Sequence, residues 1–330
     1  MPLPISGYAE MKMHRYPNFP DQVYVELTNM CNARCTICAT PKMSRKRQIM
    51  DFELFRKIID ECGTQRAHRI LPFLHGETLL VPGVLDYFRY IRRVSPQSHI
   101  NLTTNGSLLT GGISEAILRE GLLDSLILSV EGADQETYER IRSGLSFEGV
   151  RENFLQFVRL RRRLGKRKPE LLVSMVVVDE NRSTKSEFEE KWKEADGVRF
   201  SIFFNWAGKL KAQSTRSEHR LNFCERLNHY ITILVDGRVA LCCFDTEGEF
   251  IIGDIRTQRI SEVWHSREFK EIRHRLFERN FDYLSLCARC DYIRHPAWVS
   301  PLVRIRPYVQ RKLPVLADMV DNAYKKWMRR

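Results

Sequence analysis

VYVELTNMCNARCTIC, Val23 to Cys38, runs a short branched and aromatic segment directly into three cysteines. VYVELT has the composition of a buried strand. Apolar runs of the same kind recur as HRILPFLHG from His68, HINLTTNG from His99, SLILSVEG from Ser125, LLVSMVVV from Leu171 and VRFSIFFN from Val198. Between them lie segments with helical spacing: DFELFRKIIDEC behind the capping Asp51, LDYFRYIRRV, SEAILREGL, FEGVRENFLQFVRLRRR and KSEFEEKWKEA. Six strands alternating with helices predict a parallel sheet, open or curled into a partial barrel, with ligands at the C-terminal strand ends. CNARCTIC follows the first strand, HGE (His75 to Glu77) the second, TTNG (Thr103 to Gly106) the third, and SVEG (Ser129 to Gly132) closes the fourth. Each alone reads as an ordinary strand-to-helix turn. Four in one register read as a site.

The chain has 330 residues, 43% of them hydrophobic, enough for one large core and a smaller satellite. No apolar run reaches membrane-span length, and MPLPISGYAEMKMHR lacks a signal peptide's apolar core, so a cytoplasmic location is expected. Nine cysteines in that compartment favour metal or cluster ligation over disulfides. Against 41 acidic residues stand 53 Lys and Arg, a formal charge of +12. Much of it sits in RLRRRLGKRK (Arg159 to Lys168) and the terminal KKWMRR. Such clusters read first as solvated helix ends, with nucleic acid, an acidic substrate or an anionic membrane surface as the other partners they suit. No stacking-aromatic module accompanies them, so RNA is not an expected partner. In the tail, Val315, Met319, Ala323 and Trp327 fall at helical spacing, as in a helix that docks on the barrel or lies on a membrane surface.

Three thiols on one loop pose a question of ligand number. Structural zinc needs four ligands, of which His75 can be the last; an iron-sulfur cubane held by three thiolates leaves one iron open. The CxxxCxxC pattern of Cys31, Cys35 and Cys38 resembles the radical S-adenosylmethionine (SAM) superfamily, in which the open iron binds SAM. The resemblance covers roughly Val23 to Asn205 and implies a six-unit partial (β/α) barrel. Gly76 and Glu77 resemble the family's glycine-glutamate signature, which receives the methionyl amino group, with Thr78 where proline is usual. By the same resemblance Ile37 packs near adenine, Asn105 belongs to the cofactor contacts, Ser129 and Glu131 face the ribose, and Arg142 meets the carboxylate.

Where the alternation stops, Cys224, Cys242, Cys243, Cys287 and Cys290 follow. ITILVDGRVALCC reads as two strands joined by an Asp236-Gly237 turn. The DGRV before the cysteines, the GDI after them and the EVWHS segment resemble the SPASM auxiliary domain in its shorter, one-cluster twitch form. That resemblance, and the similar thiol spacing of twitch-bearing aminocyclitol dehydrogenases, implies a second [4Fe-4S] cluster on Cys224, Cys242, Cys287 and Cys290. Four-thiol zinc is the plainer alternative. Cys62 reads as a packed thiol.

The expected organisation is an N-terminal extension (1–22), the barrel (23–210), a small α+β auxiliary cluster domain (211–293) and a basic tail (294–330). The resemblance implies reductive SAM cleavage and hydrogen abstraction from a small, sugar-like substrate, with electrons from a flavodoxin- or ferredoxin-type donor. Oxidation of a carbinol, with the auxiliary cluster taking an electron, is the leading expectation. The rivals are epimerisation, with Cys243 as hydrogen donor, and peptide modification, for which no separate leader-recognition domain is expected ahead of the first strand.

Overall fold

A computed structural model describes residues 16–211, 224–278 and 280–292; the basic tail lies outside them. Its strands are β1 (Gln22–Val25), β2 (Arg69–Leu71), β3 (His99–Thr104), β4 (Ser125–Ser129), β5 (Glu170–Val177), β6 (Gly197–Ile202), β7 (Tyr230–Ile233), β8 (Arg238–Ala240) and β9 (Ile251–Asp254). The first six form the expected parallel sheet, each paired with the next in sequence. They make an open partial barrel followed by antiparallel strands. Among the described residues no helix is long and apolar enough to cross a membrane.

Local chemistry accounts for the connections. Asp51 Oδ1 accepts from the backbone N–H of Glu53 (3.0 Å) and Leu54 (3.1 Å), capping the helix Phe52–Thr64. The helix Phe147–Arg163 starts at Ser146, whose hydroxyl accepts from Gly149 N. It buries Phe154 and Phe157 on one face. Phe147, Phe154 and Phe188 surround the fully buried Trp192 at ring separations of 6.1, 5.1 and 6.2 Å, closing the core over the far strands.

The sheet does not end where the alternation ends. β7 adds in parallel to the free side of β1, with Val23 opposite Ile231, and β8 and β9 continue antiparallel. The strand order is β6-β5-β4-β3-β2-β1-β7-β8-β9, one sheet running through both halves of the chain. The Asp236-Gly237 turn forms the β7–β8 hairpin, with Gly237 at φ 88° and Leu234 N donating to Arg238 O.

One fully buried carboxylate fastens this junction. Glu26, just past β1, accepts from Arg45 Nη1 (2.9 Å) and Nη2 (2.7 Å) and from Val235 N (2.9 Å), and pairs with His75 Nδ1 (2.7 Å). Burial acts to raise its pKa, but the hydrogen bonds and charges of His75 and Arg45 outweigh it and hold the carboxyl at about 2. Its folded pKa is therefore depressed, so its contribution to stability is complete above the ordinary value of 4.5 and is lost as pH falls towards about 2. Removing one partner of such a group leaves the others buried and unpaired. Glu26→Ala is predicted to cost about 3–5 kcal/mol, against less than about 0.5 kcal/mol for the exposed Glu53→Ala, read from urea midpoints of the anaerobic protein.

Candidate active site and cluster cavity

The CNARCTIC loop lies across the C-terminal strand ends and is pinned from both sides. Arg34 N donates to Ser143 O (2.8 Å) and Thr36 N to Ile141 O (2.9 Å). Arg47 clasps the other side through the carbonyls of Asn29 (2.6 Å) and Thr40 (2.7 Å). Cys35 is buried, while Cys31 and Cys38 are half-buried. Each sulfur has a donor: Ala33 N to Cys31 Sγ (3.5 Å), Thr40 N to Cys38 Sγ (3.4 Å) and Arg142 Nη1 to Cys35 Sγ (3.7 Å). Burial nevertheless pushes the Cys35 thiol up to about 11, only partly countered by Arg142. A free nucleophile needs the opposite shift; a ligand loses its proton to the metal's charge.

All three thiols line a cleft of about 250 Å³ that is partly open to solvent. Ile37, Gly76, Glu77 and Asn105 line it, as do Ser129, Glu131 and Arg142. A Cβ on Gly76 would lie 2.4 Å from Thr28 O and 2.5 Å from Met30 O, so only glycine lets this loop pass the segment that leads from β1 to the thiols. Thr78, in place of the usual proline, donates its hydroxyl to Pro72 O (2.8 Å) and closes the same loop. Glu77 is buried, accepting from Thr104 Oγ1 (2.7 Å), Asn105 N (2.8 Å) and Leu79 N (3.2 Å). Burial raises its pKa against these donors, so a bound ammonium group would complete the site. Glu131 and Arg142 form an ion pair with each other. The Asn105 amide is spent within the protein, on Asn32 Oδ1 (2.9 Å) and Ser107 N (2.9 Å). Thiols, a buried carboxylate without its cation and an apolar Ile37 together fit a cubane carrying SAM.

His75 lines the cleft, but both ring nitrogens are committed, Nδ1 to Glu26 and Nε2 to Cys243 O (2.9 Å). It joins the two halves and is not placed as a zinc ligand. The aromatic part of the lining was not foreseen: Phe73, Phe203, Phe204, Trp206 and Phe244 also border the cleft. Trp206 and Ala207 take left-handed φ of 51° and 52°, and Trp206 Nε1 donates to Ile37 O (2.9 Å), fixing the ring against the thiol loop. The FFNW run beyond the sixth strand was the available signal.

Cys224, Cys242, Cys287 and Cys290 line a second, small cavity, otherwise bounded mainly by apolar side chains such as Leu227, Leu276 and Leu286. Burial raises all four thiols, Cys290 to about 12, and Cys242 is raised further by the adjacent Cys243 and then by the other three. Four mutually repelling thiolates in an apolar shell fit a polynuclear iron cluster, whose positive charge relieves both penalties. Cys243 lines neither cavity; its Sγ accepts from Arg226 Nη1 (2.7 Å). Cys62 is fully buried among core side chains.

Comparisons with known proteins agree with this geometry. The family model described as the radical SAM superfamily matches residues 25–190, and that of SPASM, an iron-sulfur cluster-binding domain, matches 224–291. Relatives include a tungsten-containing aldehyde ferredoxin oxidoreductase cofactor-modifying protein of Pyrococcus furiosus, 27% identical over 48% of this chain and 44% of its own. The match thus spans less than half of that relative's length. An S-adenosyl-L-methionine-dependent 2-deoxy-scyllo-inosamine dehydrogenase of Niallia circulans is 22% identical over 82% of this chain and 92% of its own. Among solved structures, BtrN in complex with AdoMet and 2-DOIA superposes with a TM-score of 0.58 at 19% identity, over 83% of this chain and 93% of that one. Streptococcus suis SuiB bound to precursor peptide SuiA gives 0.66 at 13%, over 80% and 69%. Both share the fold.

Two [4Fe-4S] clusters predict ~8 iron atoms per reconstituted chain, and Ala at Cys31, Cys35 and Cys38 together should leave ~4 by iron assay. Cys242→Ala should lose auxiliary-cluster iron, while Cys243→Ser retains the full complement.

Proposed function

Because the chain belongs to the radical SAM superfamily and carries a SPASM-type auxiliary domain, we propose that it oxidises a carbinol of a small, sugar-like or aminocyclitol substrate. In this reading Cys31, Cys35 and Cys38 hold the SAM-binding cluster, and Cys224, Cys242, Cys287 and Cys290 the auxiliary one. The observation that carries it is the position of Phe244. This side chain lines both the cleft and the four-thiol cavity, so a substrate in the cleft is separated from the auxiliary site by one residue. When bound, SAM at the first cluster supplies the hydrogen-abstracting 5'-deoxyadenosyl radical, and the auxiliary cluster supplies an electron acceptor. A carbinol becomes a carbonyl by losing a hydrogen atom, one electron and one proton, the last to solvent.

The chain's own residues bind and aim. Glu77 receives the methionyl ammonium, Ile37 packs on the adenine, Ser129 and Glu131 face the ribose, and Arg142, paired to Glu131, stands near Cys35 to meet the carboxylate. The aromatic wall of Phe203, Phe204 and Trp206 excludes water and competing hydrogens and offers a flat surface to the C–H face of a ring. An epimerase reading needs a Cys243 S–H directed at the substrate; Cys243 is absent from the cleft lining and engaged by Arg226. The similarity to a dehydrogenase over most of that relative's length supports the same choice. A flavodoxin or ferredoxin is the proposed electron donor.

The test uses anaerobic, reconstituted protein with 2-deoxy-scyllo-inosamine as the first probe, followed by other cyclitols and sugars. Oxidised product equal to SAM consumed is expected, with the substrate's carbon-bound deuterium recovered in 5'-deoxyadenosine. Cys243→Ser, which retains an acceptor for Arg226 but has no weak S–H bond, should still deliver that product. Product at an unchanged oxidation level, carrying solvent deuterium at the reacting carbon, would show epimerisation instead.

A further inference from the structure

Arg226 is out of place in an apolar cavity wall. It lines the four-thiol cavity, two residues beyond Cys224, and has no carboxylate partner among the described residues. The neighbouring Glu225 is already engaged by the hydroxyls of Tyr230 (2.7 Å) and Tyr292 (3.3 Å). The guanidinium carbon packs 4.4 Å from the ring centres of both Phe244 and Tyr292, which fix its position. Nη1 donates to Cys243 Sγ (2.7 Å), but Nε is shielded from solvent and has no acceptor among the described residues. A shielded donor on a permanent cation, at the wall of a cavity built from thiols, calls for an anionic acceptor inside that cavity.

We infer that Arg226 sets the reduction potential of the auxiliary cluster, its fixed charge and free Nε–H favouring the state with one more electron. The inference rests on the assignment of that cluster to Cys224, Cys242, Cys287 and Cys290. Reduction adds a unit of negative charge to a group already held by four thiolates, and a fixed cation at the cavity wall stabilises that charge most where solvent is excluded. Arg226 thus makes the site a better acceptor for an electron leaving the cleft.

The measurement is an EPR-monitored redox titration of the full chain with Cys31, Cys35 and Cys38 all changed to Ala, so that only the auxiliary cluster reports. Arg226→Met should lower the potential by at least the equivalent of tenfold in the one-electron reduction constant, 59 mV. Arg226→Lys, which keeps the charge, should shift it less. A Met variant with unchanged iron and unchanged potential overturns the inference. If the Met variant takes up no iron, Arg226→Lys is compared with Arg226→Gln: a higher potential for Lys supports tuning by charge, and equal potentials overturn it. Failure of all three variants to hold iron overturns it too, the guanidinium then being a part of the fold. Absence of iron from the triple-alanine parent would instead remove the cluster assignment beneath it.

Discussion

The buried Glu26 carboxylate is the constraint on which the rest of the arrangement depends. It stands at the end of β1 and is bonded to the segment behind the thiol loop through Arg45, to the glycine-glutamate loop through His75, and to the hairpin through Val235 N. Arg45 Nε reaches on to Thr246 O (2.6 Å) and His75 Nε2 to Cys243 O, so both cofactor loops share one anchor. Such a charge is stabilising only while every donor is in place, which fixes the two sites relative to each other more tightly than apolar packing would.

Much of the barrel was legible because its signals are local. All six apolar runs became strands, FEGVRENFLQFVRLRRR became the helix Phe147–Arg163, and Asp51 capped where expected. The rim motifs met in one cleft for the same reason: strand direction alone places them. What was not legible depends on distance in the chain. Nothing in ITILV announces that it will pair with VYV, and Glu26 looked like one more residue of a strand until Arg45 and His75 arrived beside it. Within the strand pattern its charge was the clue, but its partners were not.

The Gly76-Glu77 loop and the aromatic lining of the cleft differ in kind. Glycine at position 76 is imposed by the carbonyls of Thr28 and Met30, and Glu77 is fixed by three protein donors before any ligand arrives. These are features of a binding face that is already organised. The aromatic lining is made of side chains with few polar obligations. Trp206 is the exception, held by the Ile37 carbonyl and by a left-handed backbone that no periodicity predicts. The cleft therefore combines a preorganised polar part with an aromatic lining open to change in shape, a division that fits chemistry shared across a family and substrates that vary within it.

The pairing of β1 with β7 also orders events during synthesis. β1 acquires β2 early, but its other edge is covered only by residues 230–233, after the whole barrel has left the ribosome. Until then a strand interior to the finished sheet presents an open row of N–H and C=O groups beside a three-thiol loop. A nascent barrel is thus sticky until the hairpin docks. Its yield should depend on chaperone capacity while the chain is being made, more than on conditions after folding is complete.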